Sequence, residues 1–149
     1  MKKTLLLIVL ALFGLCSCES MTGKEIMRLS MKKVNEPVTS SADLKKGDKL
    51  NIWLDLDLKY SSDNEYEFRV LTMKNNDSIW YDKLHPGQAK VSLKSSEVTL
   101  GGETTYSVMC KVGYYSIEED GTYSFSAWLA AEDSADMKIE KADLVLKQK

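Results

Sequence analysis

The sequence predicts an all-β fold, an antiparallel β-sandwich or jelly roll of about eight strands in a single domain. Three observations lead there. Apolar residues recur at every second position over most of the chain, polar turn clusters interrupt that alternation at short intervals, and almost no stretch carries a helical repeat.

The longest run follows Asp48, where Leu50, Ile52, Leu54, Leu56 and Leu58 alternate with Asn51, Trp53, Asp55, Asp57 and Lys59. A helix would scatter those apolar residues around its circumference, whereas a strand puts them on one face. Ser61-Ser62-Asp63-Asn64 supplies turn chemistry, and Tyr66, Phe68 and Val70 then resume the alternation, so the two runs are expected to form a hairpin. Further strands are expected at 79–84, 89–94, 98–100, 104–112, 122–130 and 137–146, separated by polar or glycine-containing turns such as His85-Pro86-Gly87 and Glu118-Glu119-Asp120-Gly121. In the last strand the apolar phase slips between Ile139 and Leu144, which predicts a β-bulge near Lys141-Ala142.

The first residues have a different organisation. Lys2 and Lys3 precede an apolar run from Leu5 to Leu15 that ends in small polar residues, the layout of a secretory signal peptide. As a helix, eleven residues would span about 16 Å, roughly half of a ~30 Å hydrocarbon core, so a permanent transmembrane helix is not expected. Leu15-Cys16-Ser17-Cys18 resembles the lipobox of bacterial lipoproteins, with an aliphatic residue three places before the cysteine and a small residue directly before it. The resemblance covers residues 1–18 and implies cleavage between Ser17 and Cys18, a covalent lipid on Cys18 and attachment to a membrane. Cys16 is the one departure from the pattern; cleavage before it would put Leu15 where the family prefers Gly, Ala or Ser. Three acyl chains on one cysteine make such attachment effectively permanent. Under the enterobacterial sorting rule, Glu19 in place of Asp favours the outer membrane over the inner, with the leaflet open.

The expected organisation is therefore a signal peptide over 1–17, a lipidated N-terminus and tether over 18–44 with a possible first strand near 27–33, and the β-sandwich over 45–149. Pro37 to Ala42 reads as loop. As a wholly extended tether the segment would reach at most about 80 Å. Cleavage removes Lys2 and Lys3, leaving 18 basic against 22 acidic side chains and a net charge of −4, which argues against a nucleic-acid partner and against close contact with anionic lipid. It also leaves Cys110 as the lone thiol, on the apolar face of Tyr106, Val108, Cys110 and Val112, where it is expected to be an inert core residue.

Motifs for chemistry are scarce. The sequence has no HExxH, no CxxC and no glycine-rich loop between strand and helix, and its single histidine, His85, precedes Pro86-Gly87 and reads as a turn residue. Asp55 and Asp57 share the polar face of one strand and are the candidate pair for Ca²⁺, although a solvated outer face that deters edge aggregation is the better account of them. No cofactor beyond the lipid is otherwise expected, and the protein is read as non-enzymatic.

Aromatic residues on the polar phase say more. Trp53 lies between Asn51 and Asp55, and Trp128 aligns with Thr122, Ser124 and Ser126. An indole on a wet face usually has a cover. That cover is either the protein's own N-terminal segment or loops, or a partner. Trp53, Trp80, Trp128, Tyr114 and Tyr115 are the candidate interaction face. The expected function is an envelope interaction or assembly module that docks a protein through a sheet edge or an aromatic patch, as accessory lipoproteins of secretion machines do. Alternatives are a carbohydrate-binding jelly roll, by fold analogy, and a toxin-neutralising envelope protein.

Overall fold

The computed structural model describes residues 22–61, 65–132 and 135–149. Residues 1–21, with Ser17, Cys18 and the expected signal peptide, lie outside the described residues. Among the described residues there are nine strands: β1 Lys24–Ser30, β2 Val38–Leu44, β3 Lys49–Ser61, β4 Tyr66–Lys74, β5 Asp77–Leu84, β6 Val91–Leu100, β7 Glu103–Ser116, β8 Gly121–Ala131 and β9 Lys138–Gln148. A 3-10 turn, Pro86–Gln88, lies between β5 and β6.

The strands form two antiparallel sheets, ordered β1-β9-β3-β7-β6 and β2-β8-β4-β5. Leaving out β6, the two four-stranded orders are those of a jelly roll, in which the chain wraps back and forth between two sheets. The leucines of β3 alternate as their spacing requires: Leu50, Leu54, Leu56 and Leu58 are all buried. They face Phe68 and Val70 of β4 and Phe125, Ala127 and Leu129 of β8 in one continuous core.

Three expectations change. The hairpin expected from β3 and β4 does not form, because β3 pairs with β7 and β9 while β4 pairs with β5 and β8. Alternation reports which face of a strand is buried, and two strands facing each other across a core carry the same signature as two neighbours in one sheet. Residues 24–44 are not a tether: the first strand expected near 27–33 is present three residues earlier as β1, which pairs along β9, and β2 pairs along β8, so the domain boundary moves from residue 45 to Lys24 at the latest. β2 looked loop-like because its inward side chains are small. Its Thr39 hydroxyl bonds that of Ser126 at 2.7 Å, and Thr122 donates to Asp43 at 2.6 Å. Finally, the two short strands expected at 89–94 and 98–100 are one strand, β6, with a register shift at Leu93.

The phase slip in β9 is a bulge at Glu140, between the partners of Asp57 and Leu58 and one residue from its expected place. Beyond it Ala142 to Leu146 are all buried, on both faces of the sheet. Cys110 lies in the core opposite Leu54, and burial pushes its thiol up to about 11.

Candidate functional site

Five strands packed on four leave one without a counterpart. Side by side, the two orders place β1 over β2, β9 over β8, β3 over β4 and β7 over β5, so β6 overhangs. Ring contact between Trp80 of β5 and Tyr115 of β7, centroids 5.1 Å apart, marks where the second sheet ends. All ten residues of β6 are exposed, on both faces. Among the described residues seven large hydrophobic side chains are exposed, and six of them lie on the two edge strands of this flank: Ile79 and Tyr81 on β5, and Val91, Leu93, Val98 and Leu100 on β6. Leu100 is the most open at 82%. Cross-strand partners share a face, so Val98 and Leu100, opposite Thr105 and Glu103, look outward, whereas Glu97, opposite Tyr106, looks inward.

Beneath the overhang, towards the start of β4, the sheets part to leave a cleft of about 700 Å³. Tyr60 at the end of β3, Tyr66 at the start of β4, Tyr106 of β7 and His85 supply its aromatic walls, and Glu97, Lys83 and Gln88 its polar groups. Tyr60 and Tyr66 meet edge to face at 5.1 Å, and His85 stacks on Tyr66 at 5.9 Å and 24°. The His85 ring orientation has a local cause: as N-cap of the 3-10 turn, its Nδ1 accepts the Gly87 N–H at 3.0 Å. In the neutral ring the proton is then on Nε2. Burial holds the Tyr66 phenol well above its usual range and pushes Tyr106 up to about 12. Glu67 pairs with Arg69 and with Lys83 at 3.1 Å, and beyond that cluster a polar recess of about 400 Å³ reaches Asn35 and Ala131. Hydroxyls, an amide, a carboxylate and ring faces together suit a ligand that offers many hydrogen bonds and some apolar surface.

The five aromatic residues expected on one face are distributed over three places. Trp80 and Tyr115 pack on each other between the sheets. Trp128 lies on the outer face of the four-stranded sheet opposite Arg69, with its ring 6.4 Å from that of Tyr81. Tyr114 and Trp53 are on the outer face of the five-stranded sheet, Tyr114 71% exposed and Trp53 only 3%. Opposite Trp53 is Val145, fully buried, and the Lys147 ammonium is 5.6 Å from the indole centroid, itself donating to the Thr22 hydroxyl at 3.1 Å. The indole Nε1–H has no hydrogen-bond partner among the described residues. The polar phase of a strand is thus not always wet: on the central strand of a five-stranded sheet, a long side chain from a neighbouring strand lies over the indole.

Asp55 and Asp57 do share the outer face of β3, but each has a cation beside it. Lys141 donates to Asp55 at 3.1 Å, Arg28 stands 3.7 Å from it, and Lys94 is 3.5 Å from Asp57. Among the described residues no group of three or more His, Cys, Asp or Glu is placed to hold a metal ion. Tyr60, Tyr66 and His85 were missed as a site because each reads singly as a turn-flanking residue, and the cleft exists only where strands of both sheets and the β5–β6 connection come together. Compared with known proteins, the chain matches no family model and no curated protein.

Proposed function

We propose that this protein is a lipid-anchored cell-envelope lipoprotein whose jelly roll is a non-enzymatic interaction module, docking an envelope protein along the β5–β6 flank. The observation that carries the docking reading is β6 itself, an edge strand exposed along all ten residues and bearing Val91, Leu93, Val98 and Leu100. An edge with free backbone groups accepts a strand from another chain, and unguarded it is an aggregation hazard that proteins normally blunt. Here Lys94 and Glu97 and the shift at Leu93 blunt it only in part. Support for anchoring is the run from Lys2 to Cys18, and Glu19 favours the outer membrane.

The test is affinity capture of the lipidated protein from its native envelope in mild detergent, with a Val98→Glu, Leu100→Glu variant alongside. A stoichiometric protein partner that the variant loses supports the reading. Equal recovery with both chains would reject β6 as the contact. The variant is expected to unfold within about 0.5 kcal/mol of the parent, because neither side chain is packed.

The tyrosine cleft favours a second reading, glycan binding, since a sugar ring offers hydroxyls to Glu97 and Gln88 and a CH face to a phenol ring. A polysaccharide array probed with the parent and with Tyr60→Ala tests it. Binding that the substitution abolishes supports the cleft; no binding by the parent removes this reading.

A further inference from the structure

Where the chain enters the domain limits how the domain can sit. β1 begins at Lys24, leaving residues 19–23 between it and Cys18. Two of those five are already placed against the sandwich. Thr22 accepts a hydrogen bond from Lys147 at 3.1 Å, and Gly23, at φ +87°, lies so close to Gln148 that an added Cβ would fall 2.6 Å from its carbonyl oxygen. From Cys18 to Thr22 there are four Cα steps, a reach of about 14 Å. The sandwich is much longer than that: β3 alone has 13 residues, about 43 Å of strand.

One end of the barrel-shaped stack therefore stays near the lipid, and it is made of the start of β1, the β2–β3, β4–β5 and β7–β8 connections and the end of β9. Lys24, Lys46, Lys49 and Lys149 gather there, and among the described residues none of their ammonium groups has a carboxylate partner. The acids of the same end are largely engaged: Asp120 with Lys45 at 3.3 Å, Glu119 with Lys74 at 2.6 Å, and Asp48 with the Lys45 backbone N–H at 2.9 Å. Glu118 and Asp77 remain. Tyr114, 71% exposed and opposite Asn51, projects near this end, as aromatic residues at membrane interfaces do. At the opposite end Lys33 pairs with Glu36 and Lys138 with Glu140, and the described groups outside those pairs show the reverse balance, Glu65, Glu103, Glu132 and Asp136 against Lys32 and Lys59.

We infer that the end bearing Lys24, Lys46, Lys49, Lys149 and Tyr114 rests on the membrane and contacts anionic lipid headgroups, so that the domain stands upright on its anchor. This rests on the lipoprotein reading above. The overall charge of the mature chain is acidic, but only lysines close to the surface feel its potential, which decays within a Debye length of about 8 Å. An upright stance also directs the tyrosine cleft away from the membrane and leaves the β5–β6 flank open along the side.

The experiment uses the full-length lipidated protein in vesicles of phosphatidylethanolamine and phosphatidylglycerol containing an acceptor-labelled lipid. A donor dye is attached at Lys46→Cys in one preparation and at Lys32→Cys in another; Cys110 is buried and does not compete. Energy transfer is expected to be several-fold stronger from position 46 than from position 32. Equal transfer, or a reversed order, overturns the inference. In a third preparation Lys24, Lys46, Lys49 and Lys149 are all replaced by Gln, with the dye carried at Lys45→Cys and again at Lys32→Cys; the contrast is expected to shrink, and an unchanged contrast would refute the headgroup contacts. Palmitate labelling of the same samples separates the two failures: without label on Cys18 the anchor reading itself falls, and the stance falls with it.

Discussion

Trp53 shows how far one residue's surroundings can depart from its place in a pattern. It alternates with leucines and so belongs to the outer face of β3, yet only 3% of it is exposed, with Val145 opposite and Lys147 lying over the ring. Trp53→Ala is therefore expected to cost about 3–5 kcal/mol, read as a lower urea midpoint, the penalty for emptying a large buried site. A variant as stable as the parent would show that the indole is a surface group after all. Cys110 belongs to the same scale. Burial removes its thiol from solvent and pushes its ionisation up to about 11, so the thiolate that reacts is scarce at neutral pH. Iodoacetamide at pH 8 should leave the folded protein unmodified and label it fully in urea; rapid labelling of the native state would contradict the packing.

At the scale of elements, the strands that were legible are those whose inward positions are large. β3, β8 and β9 announce themselves through Leu, Phe and Val at alternate places. β2, with Ser40 and Ala42 facing inward and Thr39 and Ser41 outward, does not, and its existence depends on β8 being there to pair with. The entry to β1 depends on a glycine for two reasons at once, a left-handed φ of +87° and the close approach of the Gln148 carbonyl. Gly23→Ala is expected to cost about 1–2 kcal/mol locally. Amide exchange should rise in β1 and the end of β9 while β4 and β8 keep their protection, and an unchanged exchange map would show the contact to be dispensable.

For the whole molecule, burial of neutral groups sets an alkaline limit. Tyr60, Tyr66, Tyr106 and Tyr115 are all raised, chiefly by burial, and Cys110 with them. In the unfolded chain these groups ionise at about 10 for tyrosine and about 8.5 for cysteine, while the folded chain still holds its protons. The stabilisation they give is thus intact below about pH 8.5 and is lost as the pH rises through the folded values. The urea midpoint should be level between pH 7 and about pH 8.5 and drop clearly by pH 11. A midpoint as high at pH 11 as at pH 7 would mean the tyrosines ionise freely in the native state.

By itself the sequence determined the class of this fold, the buried face of its longest strands and the position of the β9 bulge to within a residue, because a side-chain period of two is a local property that the chain carries wherever it is placed. The proposed anchor rests on residues 1–18 alone, a pattern that is read without any fold. Tertiary structure alone decided which strands are neighbours, that β6 overhangs the second sheet, and that Tyr60, Tyr66, Tyr106 and His85 come together around one cleft. Those residues are up to 46 positions apart in the chain, and what unites them is the packing of strands from two sheets beside the β5–β6 connection. Pairing is chosen by the summed burial of the whole core, and no window of sequence contains that sum.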